Sequence, residues 1–265
     1  MDDKSKIELA LKVATLYYRD GWNQSDIATE LNISRATVSR LLQFGRDRGL
    51  VTIKIHNPVA PLHQLEVDLL AKYPSLHKII IVPGTDDPLE EVGAAGAKYI
   101  EQVVEDKDII GLGWGKTVYQ VGLHLKPKDV TDITVVQMKG SMANTNTRNY
   151  AFETVNIFAN AFNTVPQYLP LPVIFDHAKT RELVANDTHI KHIMKLGEQS
   201  SIAVFTVGTV RDSALLFKLG YFTKQEQLTL QHEAVGDVFS RFIDSKGQIV
   251  NEDINQRTIG IALPE

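Results

Sequence analysis

One lysine, Lys139, stands where an apolar run meets a glycine and a polar stretch. The run TVVQM begins at Thr134, and Gly140 follows the lysine directly. A lysine at the end of a buried strand is either a surface charge or a chemical reagent. Partial loss of water disfavours the ammonium form and leaves a nucleophilic amine. The residues themselves keep both interpretations open.

A second stretch with chemical potential is GLGWGKT, which ends at Thr117. Its glycines, among them Gly113 and Gly115, let backbone amides approach an anion, and Lys116 opens the helix that follows. The stretch is not a nucleotide-binding P-loop, because that motif needs a glycine where this chain has Ile110. We expect an anion cradle for a phosphorylated small molecule, with a structural turn as the alternative.

Two later stretches add donors and a carboxylate. FTVGTVRD places Gly208 and Thr209 after an apolar run, and GDVFSRFID contains Asp237. That carboxylate either accepts hydrogen bonds from sugar hydroxyls or belongs to a turn or helix cap. His189 and His192 lie three positions apart on a predicted helix without a further ligand cluster. We therefore expect both histidines at the surface, no metal site and no cofactor.

The segment NQSDIATELNISRATVSRLL has the pattern of a helix-turn-helix motif. Its apolar positions form a small core with one small residue where the helices cross: Ile27, Leu31, Ile33, Val38, Leu41 and Ala28. The outward face carries side chains that suit phosphates and base edges: Gln24, Ser34, Arg35, Thr37, Ser39 and Arg40. Arg46, Arg48 and Lys54 are predicted to contact phosphates, with no DNA contact as the alternative. The alternative is an ordinary three-helix domain with solvent-facing arginines.

Charge and composition limit the class of protein. The net charge is −4, of which residues 1–57 contribute +2 and the remaining residues −6. A basic head on an acidic body favours contact with an anionic polymer. Zero cysteines exclude disulfides, thiolate catalysis and cysteine zinc sites. The N-terminus is no signal peptide, and no apolar run approaches membrane-spanning length, so we expect a cytoplasmic protein without membrane contact.

The elements that must position these residues form two predicted domains. Residues 1–57 are predicted to be an all-α, winged helix-turn-helix DNA-binding domain with GLVTIKI as the wing, and HNPVAP a linker. Residues 58–265 alternate strands with amphipathic helices, which predicts an α/β domain with a parallel-rich sheet flanked by helices. The predicted elements include a helix with Leu62, Leu65, Leu69 and Leu70 inward, and strands at 78–82, 166–175 and 202–210. Ligands bind beyond the carboxyl ends of such strands, where Lys139 and the glycine stretches fall.

The chain resembles the SorC family of sugar-binding transcriptional regulators. The resemblance rests on QSDIATELNISRATVSRLL, GLGWGKT, LPLPVIF, AVFTVGTV, GDVFSRFID and NQRTIGI, in that order over nearly the whole chain. It implies an effector domain related to sugar-phosphate isomerases, and a homodimer or homotetramer that releases operator DNA when a phosphorylated sugar binds. It is strongest toward members that regulate deoxyribonucleoside catabolism, through VVQMKG, YLPLPVIFD and VGTVRDSALLFKLGYF. Those members imply 2-deoxyribose 5-phosphate as the effector and repression as the mode of regulation.

The residues and the resemblance together assign positions in this chain to the effector. The predicted effector-binding residues are Gly113, Gly115, Lys116, Thr117, Lys139, Gly140, Gly208, Thr209 and Asp237. The phosphate would lie against the glycine stretch, and Lys139 would face carbon 1 of the sugar. Because the open-chain sugar is an aldehyde, a reversible imine on Lys139 is one hypothesis, and a simple hydrogen bond is the other. The family's domain also continues beyond the point where this chain ends, with a Gly-Gly turn, a basic residue, a strand and a helix.

An enzyme is the rival function. A sugar-phosphate aldolase or isomerase would use Lys139 covalently and would need an acid/base partner, for which Glu153 and Asp237 are available. Catalysis has no need of a DNA-binding domain, so we predict a regulator without a catalytic residue.

Overall fold

The computed structural model describes residues 3–52, 60–84, 86–143 and 145–263. The chain divides into two compact units, Met1–Ala60 and Pro61–Glu265. Within the described ranges, no helix has both the length and the apolar character needed to cross a bilayer.

The first unit is helical. Its elements are α1 (Asp3–Ala14), a π-helical turn (Thr15–Arg19), α2 (Gln24–Glu30) and α3 (Arg35–Asp47). Its buried core consists of Ala10, Val13, Ala14, Ile27, Val38, Leu41 and Leu42, against which Ala28, Leu31 and Ile33 also pack. These positions confirm the helix-turn-helix pattern. The predicted wing covers residues 49–55. Its described part, up to Thr52, forms no strand, and residues 53–55 lie outside the described residues.

The second unit contains nine further helices and seven strands within its described residues. The helices are α4 (Ala60–Lys72, whose first residue closes the first unit), α5 (Pro88–Val103), α6 (Lys116–His124), α7 (Ala151–Ala161), α8 (Ala178–Ala185), α9 (Thr188–Glu198), α10 (Leu215–Lys218), α11 (Lys224–Glu233) and α12 (Glu252–Arg257). The strands are β1 (Ile109–Leu112), β2 (Thr134–Gln137), β3 (Pro166–Gln167), β4 (Ile202–Val204), β5 (Val207–Gly208), β6 (Gly236–Val238) and β7 (Arg241–Ile243).

The main sheet is parallel throughout, with strand order β3-β2-β1-β4. Adjacent residues of β2 point to opposite faces, as strand geometry requires. Val135 packs into the core that α5, α6 and α7 cover, whereas Val136 packs with Ile190 and Ile193 of α9. Helices therefore cover both faces, which confirms the predicted α/β fold.

The predicted strand 202–210 is divided between two sheets. The chain leaves the parallel sheet after Val204. The next strand, β5, belongs to a second sheet, in which β5 pairs antiparallel with β6 and β6 pairs antiparallel with β7. The sequence pattern did not reveal this break, because both halves are apolar and alternate. The second sheet places Asp237 opposite Gly208 in the register.

Three further predictions about elements are wrong. Residues 78–82 form no strand, and the amide of Ile81 instead donates to Glu66 Oε1 at 2.8 Å. The predicted strand 166–175 ends at Gln167, since Pro170 and Pro172 lack the amide that a ladder needs. Leu65, expected inward on α4, is 46% exposed because no described element covers that side of the helix.

Candidate functional site

The candidate effector site lies where the parallel sheet changes direction. The chain runs from β1 outward to β2 and β3 and then returns to β4 on the other side of β1. Such a reversal opens a crevice at the carboxyl ends of the two central strands, and ligands bind there. β1 ends before Gly113, β2 ends two residues before Lys139, and β4 ends before Phe205. One edge of the sheet therefore carries the glycine stretch after β1, Lys139 after β2 and the FTVGTVRD stretch at the end of β4.

A cavity of about 340 Å³ occupies this edge. Its lining combines hydroxyls, two amines, one carboxylate and apolar side chains: Trp114, Gly115, Lys116, Thr117, Lys139, Thr206, Val207, Gly208, Thr209, Ser213, Ala214, Leu215, Leu216 and Asp237. Seven of the nine predicted effector-binding residues are in this lining. Trp114, Thr206 and Ser213 were not predicted to take part, although Trp114 lies inside the glycine stretch that was singled out.

Lys139 is a buried amine, 8% exposed. Its Nζ lies 3.1 Å from Ser240 Oγ, to which it donates, and 4.0 Å from the centroid of the Trp114 ring. Burial lowers the pKa of Lys139 from 10.5 to about 8, although the charge of Asp237 acts in the opposite direction. The interpretation as an exposed surface charge is therefore wrong.

Asp237 and Ser240 belong to the hairpin of β6 and β7. Its two-residue turn, Phe239 and Ser240, has positive φ at both positions, 51° and 67°. Two non-glycine residues in that region are unfavourable, and such strain concentrates at functional sites. The turn brings the Ser240 amide to Asp237 Oδ2 at 3.0 Å and the Ser240 hydroxyl to Lys139. Burial raises the pKa of Asp237, whereas Lys139 and the Ser240 amide act to lower it.

The N-terminus of α6 forms the candidate anion cradle. Gly115, its N-cap, has φ +142°, a conformation that favours glycine. The amides of Lys116 and Thr117 point out of the first turn without an intrahelical acceptor, and the helix dipole adds positive potential there. Across the cavity lie Gly208 and Thr209, whose hydroxyl accepts from the Arg211 amide at 3.3 Å.

Gly113 and Gly140 do not line the cavity, and each has a structural task. The Gly113 amide donates to Val204 O at 2.8 Å, so this amide is committed to joining β1 to β4. The carbonyl of Gly140 accepts from the indole nitrogen of Trp114 at 2.8 Å. A Cβ at Gly140 would lie 2.4 Å from Pro172 O, so the close approach of two backbone segments requires glycine. Neither residue is in the cavity lining, and a contact of either with the effector stays a prediction.

Glu153, one acid/base candidate for an enzyme, lies outside the cavity lining. Its carboxylate accepts from Arg148 Nε at 2.9 Å on the exposed start of α7. His189 and His192 are exposed on α9, as predicted. Of the two acid/base candidates, only Asp237 adjoins Lys139.

The candidate DNA-binding face lies on α3. Val38, Leu41, Leu42 and Gly45 form its buried side, and Arg35, Ser39 and Arg40 are exposed. Ser34 caps the helix by accepting from the Thr37 amide at 3.1 Å, and the hydroxyls of these two residues lie 2.8 Å apart. Gln24 begins α2 and is partly exposed, after Asn23 caps that helix with its side chain.

The predicted phosphate contacts differ in how they are held. Arg46 donates to Tyr18 Oη at 2.9 Å and to Gln43 Oε1 at 2.6 Å, which fixes its guanidinium beside α3. Arg48 lies 5.4 Å from the centroid of the Phe44 ring. Lys54 lies outside the described residues.

Comparisons with known proteins agree with both units. A family model for a sugar-binding domain matches residues 57–265, and a model for a homeodomain-like domain matches residues 4–43. The deoxyribonucleoside regulator of Bacillus subtilis is 44% identical over 99% of this chain and 85% of its own length. The sorbitol operon regulator of Klebsiella pneumoniae is 29% identical over 99% of this chain and 85% of its own length.

Solved structures give the same result. The full-length sorbitol operon regulator SorC from Klebsiella pneumoniae matches with a TM-score of 0.70 and 27% identity, over 97% of this chain and 84% of that chain. A domain of a sugar-binding transcriptional regulator from Arthrobacter aurescens matches with a TM-score of 0.68 and 28% identity, over 80% of this chain and 82% of that chain. With its helix-turn-helix unit and its sugar-binding unit, this chain belongs to the SorC family of sugar-binding transcriptional regulators, not to a family of enzymes.

Proposed function

We propose that the protein is a repressor of deoxyribonucleoside catabolism genes that releases its operator when 2-deoxyribose 5-phosphate binds. The sugar is held as an imine on Lys139. The observation that carries this proposal is the buried Lys139 amine with a pKa of about 8, inside a cavity that also contains a helix N-terminus. The name of the Bacillus relative supports the deoxyribonucleoside assignment. A regulator that contacts the chromosome works in the cytoplasm.

The lowered pKa makes the amine a competent nucleophile. At pH 7, a pKa of 10.5 leaves about 0.03% of a lysine neutral, whereas a pKa of about 8 leaves about 9%, roughly a 300-fold gain. The neutral Nζ attacks carbon 1 of the open-chain aldehyde to form a carbinolamine. Loss of the C1 hydroxyl as water, with a proton supplied by a neighbouring acid, gives the protonated imine.

The remaining cavity residues fit the rest of the sugar phosphate. The phosphate lies at the N-terminus of α6, where the amides of Lys116 and Thr117 and the hydroxyls of Thr206 and Thr209 donate to its oxygens. Asp237 accepts from a sugar hydroxyl, in line with its place in the lining. Non-covalent binding of the same sugar is the alternative, and borohydride trapping of the adduct distinguishes the two.

Self-association is part of the proposal. Five large apolar side chains on and after α4 are between 44% and 49% exposed: Leu65, Val67, Tyr73, Leu76 and Ile80. An apolar surface of this kind favours contact with another copy of the chain. A homodimer or homotetramer presents two α3 helices to two operator half-sites.

The proposal is tested by DNA retardation on the promoter region beside the protein's own gene. The protein is incubated at fixed salt with and without a panel of sugar phosphates. We expect a shifted band that 2-deoxyribose 5-phosphate alone removes. A shift that persists with every sugar phosphate contradicts the effector, and no shift at low salt contradicts regulation through this DNA.

Replacing Arg40 by alanine should weaken operator binding about 10- to 100-fold, because one exposed base or phosphate contact on α3 contributes about 1–3 kcal/mol. The matched control is Lys12→Ala, which removes the same charge from the exposed side of α1. Titrations with labelled operator measure both variants. Equal losses would show that net charge, and not the face of α3, determines affinity.

The rate of adduct formation should depend on pH with a midpoint near 8. Burial lowers the pKa of Lys139 below its ordinary value, so the reactive neutral amine accumulates as pH rises through about 8 and then levels off. Borohydride trapping of the adduct over a series of pH values measures this profile. An ordinary surface lysine would instead show a rate that keeps rising toward pH 10.

The same shift affects stability in a defined direction. The unfolded chain holds the Lys139 proton up to pH 10.5, but the folded chain loses it near pH 8. Between these values the unfolded state binds more protons, so the contribution of Lys139 to the free energy of unfolding rises with pH. Below pH 8 the full cost of burying the ammonium is present.

A further inference from the structure

Trp114 has an unusual position in the effector cavity. Its indole is 5% exposed and belongs to the apolar cluster that includes Val173, Ile174 and Leu216. The one polar atom of the ring, the indole nitrogen, donates to Gly140 O at 2.8 Å. The ring is therefore fixed in place, and the face that it presents to the cavity has no hydrogen-bonding atom available.

That face lies directly beside the reacting amine. Lys139 Nζ is 4.0 Å from the ring centroid. In an imine, carbon 1 of the sugar is bonded to Nζ, and carbon 2 is only one bond further away. An imine whose carbon 2 is directed over the ring places that carbon in van der Waals contact with the indole face. The protonated imine keeps its positive charge near the ring, so the attraction between the cation and the aromatic face is retained.

We propose that Trp114 is the specificity-determining residue that selects 2-deoxy sugars. A methylene at carbon 2 packs against the indole without loss. A hydroxyl directed at the same face loses its water and gains no partner, because the indole nitrogen is already committed to Gly140. This inference rests on the proposed imine at Lys139 and adds which sugars are preferred as effectors.

Lys139 also has polar neighbours, so the selection depends on configuration. Ser240 Oγ lies 3.1 Å from Nζ, and Asp237 is held next to Ser240. Ribose 5-phosphate and arabinose 5-phosphate differ only in the direction of the hydroxyl at carbon 2. With carbon 2 over the ring, one of the two epimers directs that hydroxyl to the indole, and the other can direct it toward Ser240 and Asp237.

The test compares 2-deoxyribose, ribose and arabinose 5-phosphates in the full chain, by borohydride trapping over a range of sugar concentrations. In the unmodified protein we expect at least one 2-hydroxy sugar to require about 10- to 100-fold more sugar for half-maximal adduct. Trp114→Phe, which keeps the apolar face, should retain this ratio. Trp114→Gln, which offers an amide to the hydroxyl, should bring the ratio to within about threefold.

A second measurement does not depend on the folding of any Trp114 variant. The chain has two tryptophans, so Trp22→Phe leaves Trp114 as the sole indole emitter. Its fluorescence should change when 2-deoxyribose 5-phosphate binds, because carbon 2 contacts the ring. Unchanged emission at saturating sugar would overturn the inference.

The outcomes separate this inference from the proposed function. Equal concentrations for all three sugars in the unmodified protein overturn the role of Trp114 and leave the imine intact. A ratio that Trp114→Gln retains, in a variant that still traps 2-deoxyribose 5-phosphate, overturns it as well. If no sugar gives an adduct, the proposed imine itself is wrong, and the inference is wrong with it.

Discussion

Replacing Lys139 by methionine is expected to abolish the covalent adduct and the response of the operator complex to 2-deoxyribose 5-phosphate. Methionine has similar bulk and fills the same space beside Trp114, but it has no amine for imine formation. Mass spectrometry after borohydride reduction should show one added sugar phosphate per chain in the unmodified protein and none in the variant. DNA retardation without sugar should be unchanged, because α3 is in the other compact unit.

Two further variants separate covalent chemistry from charge. Lys139→Arg keeps a positive charge but cannot form an imine, so it should bind the sugar reversibly at best. Lys139→Met combined with Asp237→Asn avoids leaving a buried carboxylate without its counter-charge, which guards against a folding defect. Lys191→Met, an exposed lysine on α9, is the matched control and should trap the sugar normally. An adduct that survives in Lys139→Met would place the reaction at another lysine.

Replacing Gly208 by alanine is expected to damage the site through Asp237. A Cβ at this position would lie 1.8 Å from Asp237 Oδ1. The carboxylate is buried and short, so it can avoid the methyl group only by turning away from Lys139 or by moving the β5–β6 pair. We expect a loss of about 1–3 kcal/mol in the free energy of unfolding, measured by urea denaturation, and sugar affinity about tenfold or more weaker.

The pH dependence of adduct formation in Gly208→Ala distinguishes a displaced Asp237 from a loss of stability alone. In the unmodified protein the charge of Asp237 raises the pKa of Lys139 against the larger effect of burial. If the carboxylate turns away, that support is lost and the midpoint of adduct formation moves to lower pH. Gly84→Ala is the control, because nothing lies within 4 Å of a Cβ there. A Gly208→Ala protein with an unchanged midpoint would contradict the proposed role of Asp237.

The helical core of the DNA-binding unit could be predicted from the chain, whereas its wing was not confirmed. Its core positions repeat at helical spacing, and its caps are side chains that bond to amides two or three residues further on. Such contacts are local, so sequence distance and spatial distance nearly coincide. The buried positions Ile27, Val38 and Leu41 are those that the spacing predicted.

The effector-binding unit could be predicted less completely, because its arrangement depends on contacts between distant parts of the chain. The sequence by itself determined an alternating α/β fold, a glycine-rich turn after β1 and a lysine after β2, because periodicity and turn residues are local properties. Strand pairing is not local, so the change of sheet after Val204 and the absence of a strand at 78–82 were decided by which segments have a neighbour.

The assembly of the site was likewise decided by tertiary structure. Ser240 lies 101 positions from Lys139 in the chain, yet their side chains form a hydrogen bond. The lysine was identifiable from the sequence, but its lowered pKa was not, because that depends on how completely the Trp114 ring, the Ser240 turn and Asp237 exclude water from one amine. Residue type determined which chemistry was available, and burial decided which lysine could perform it.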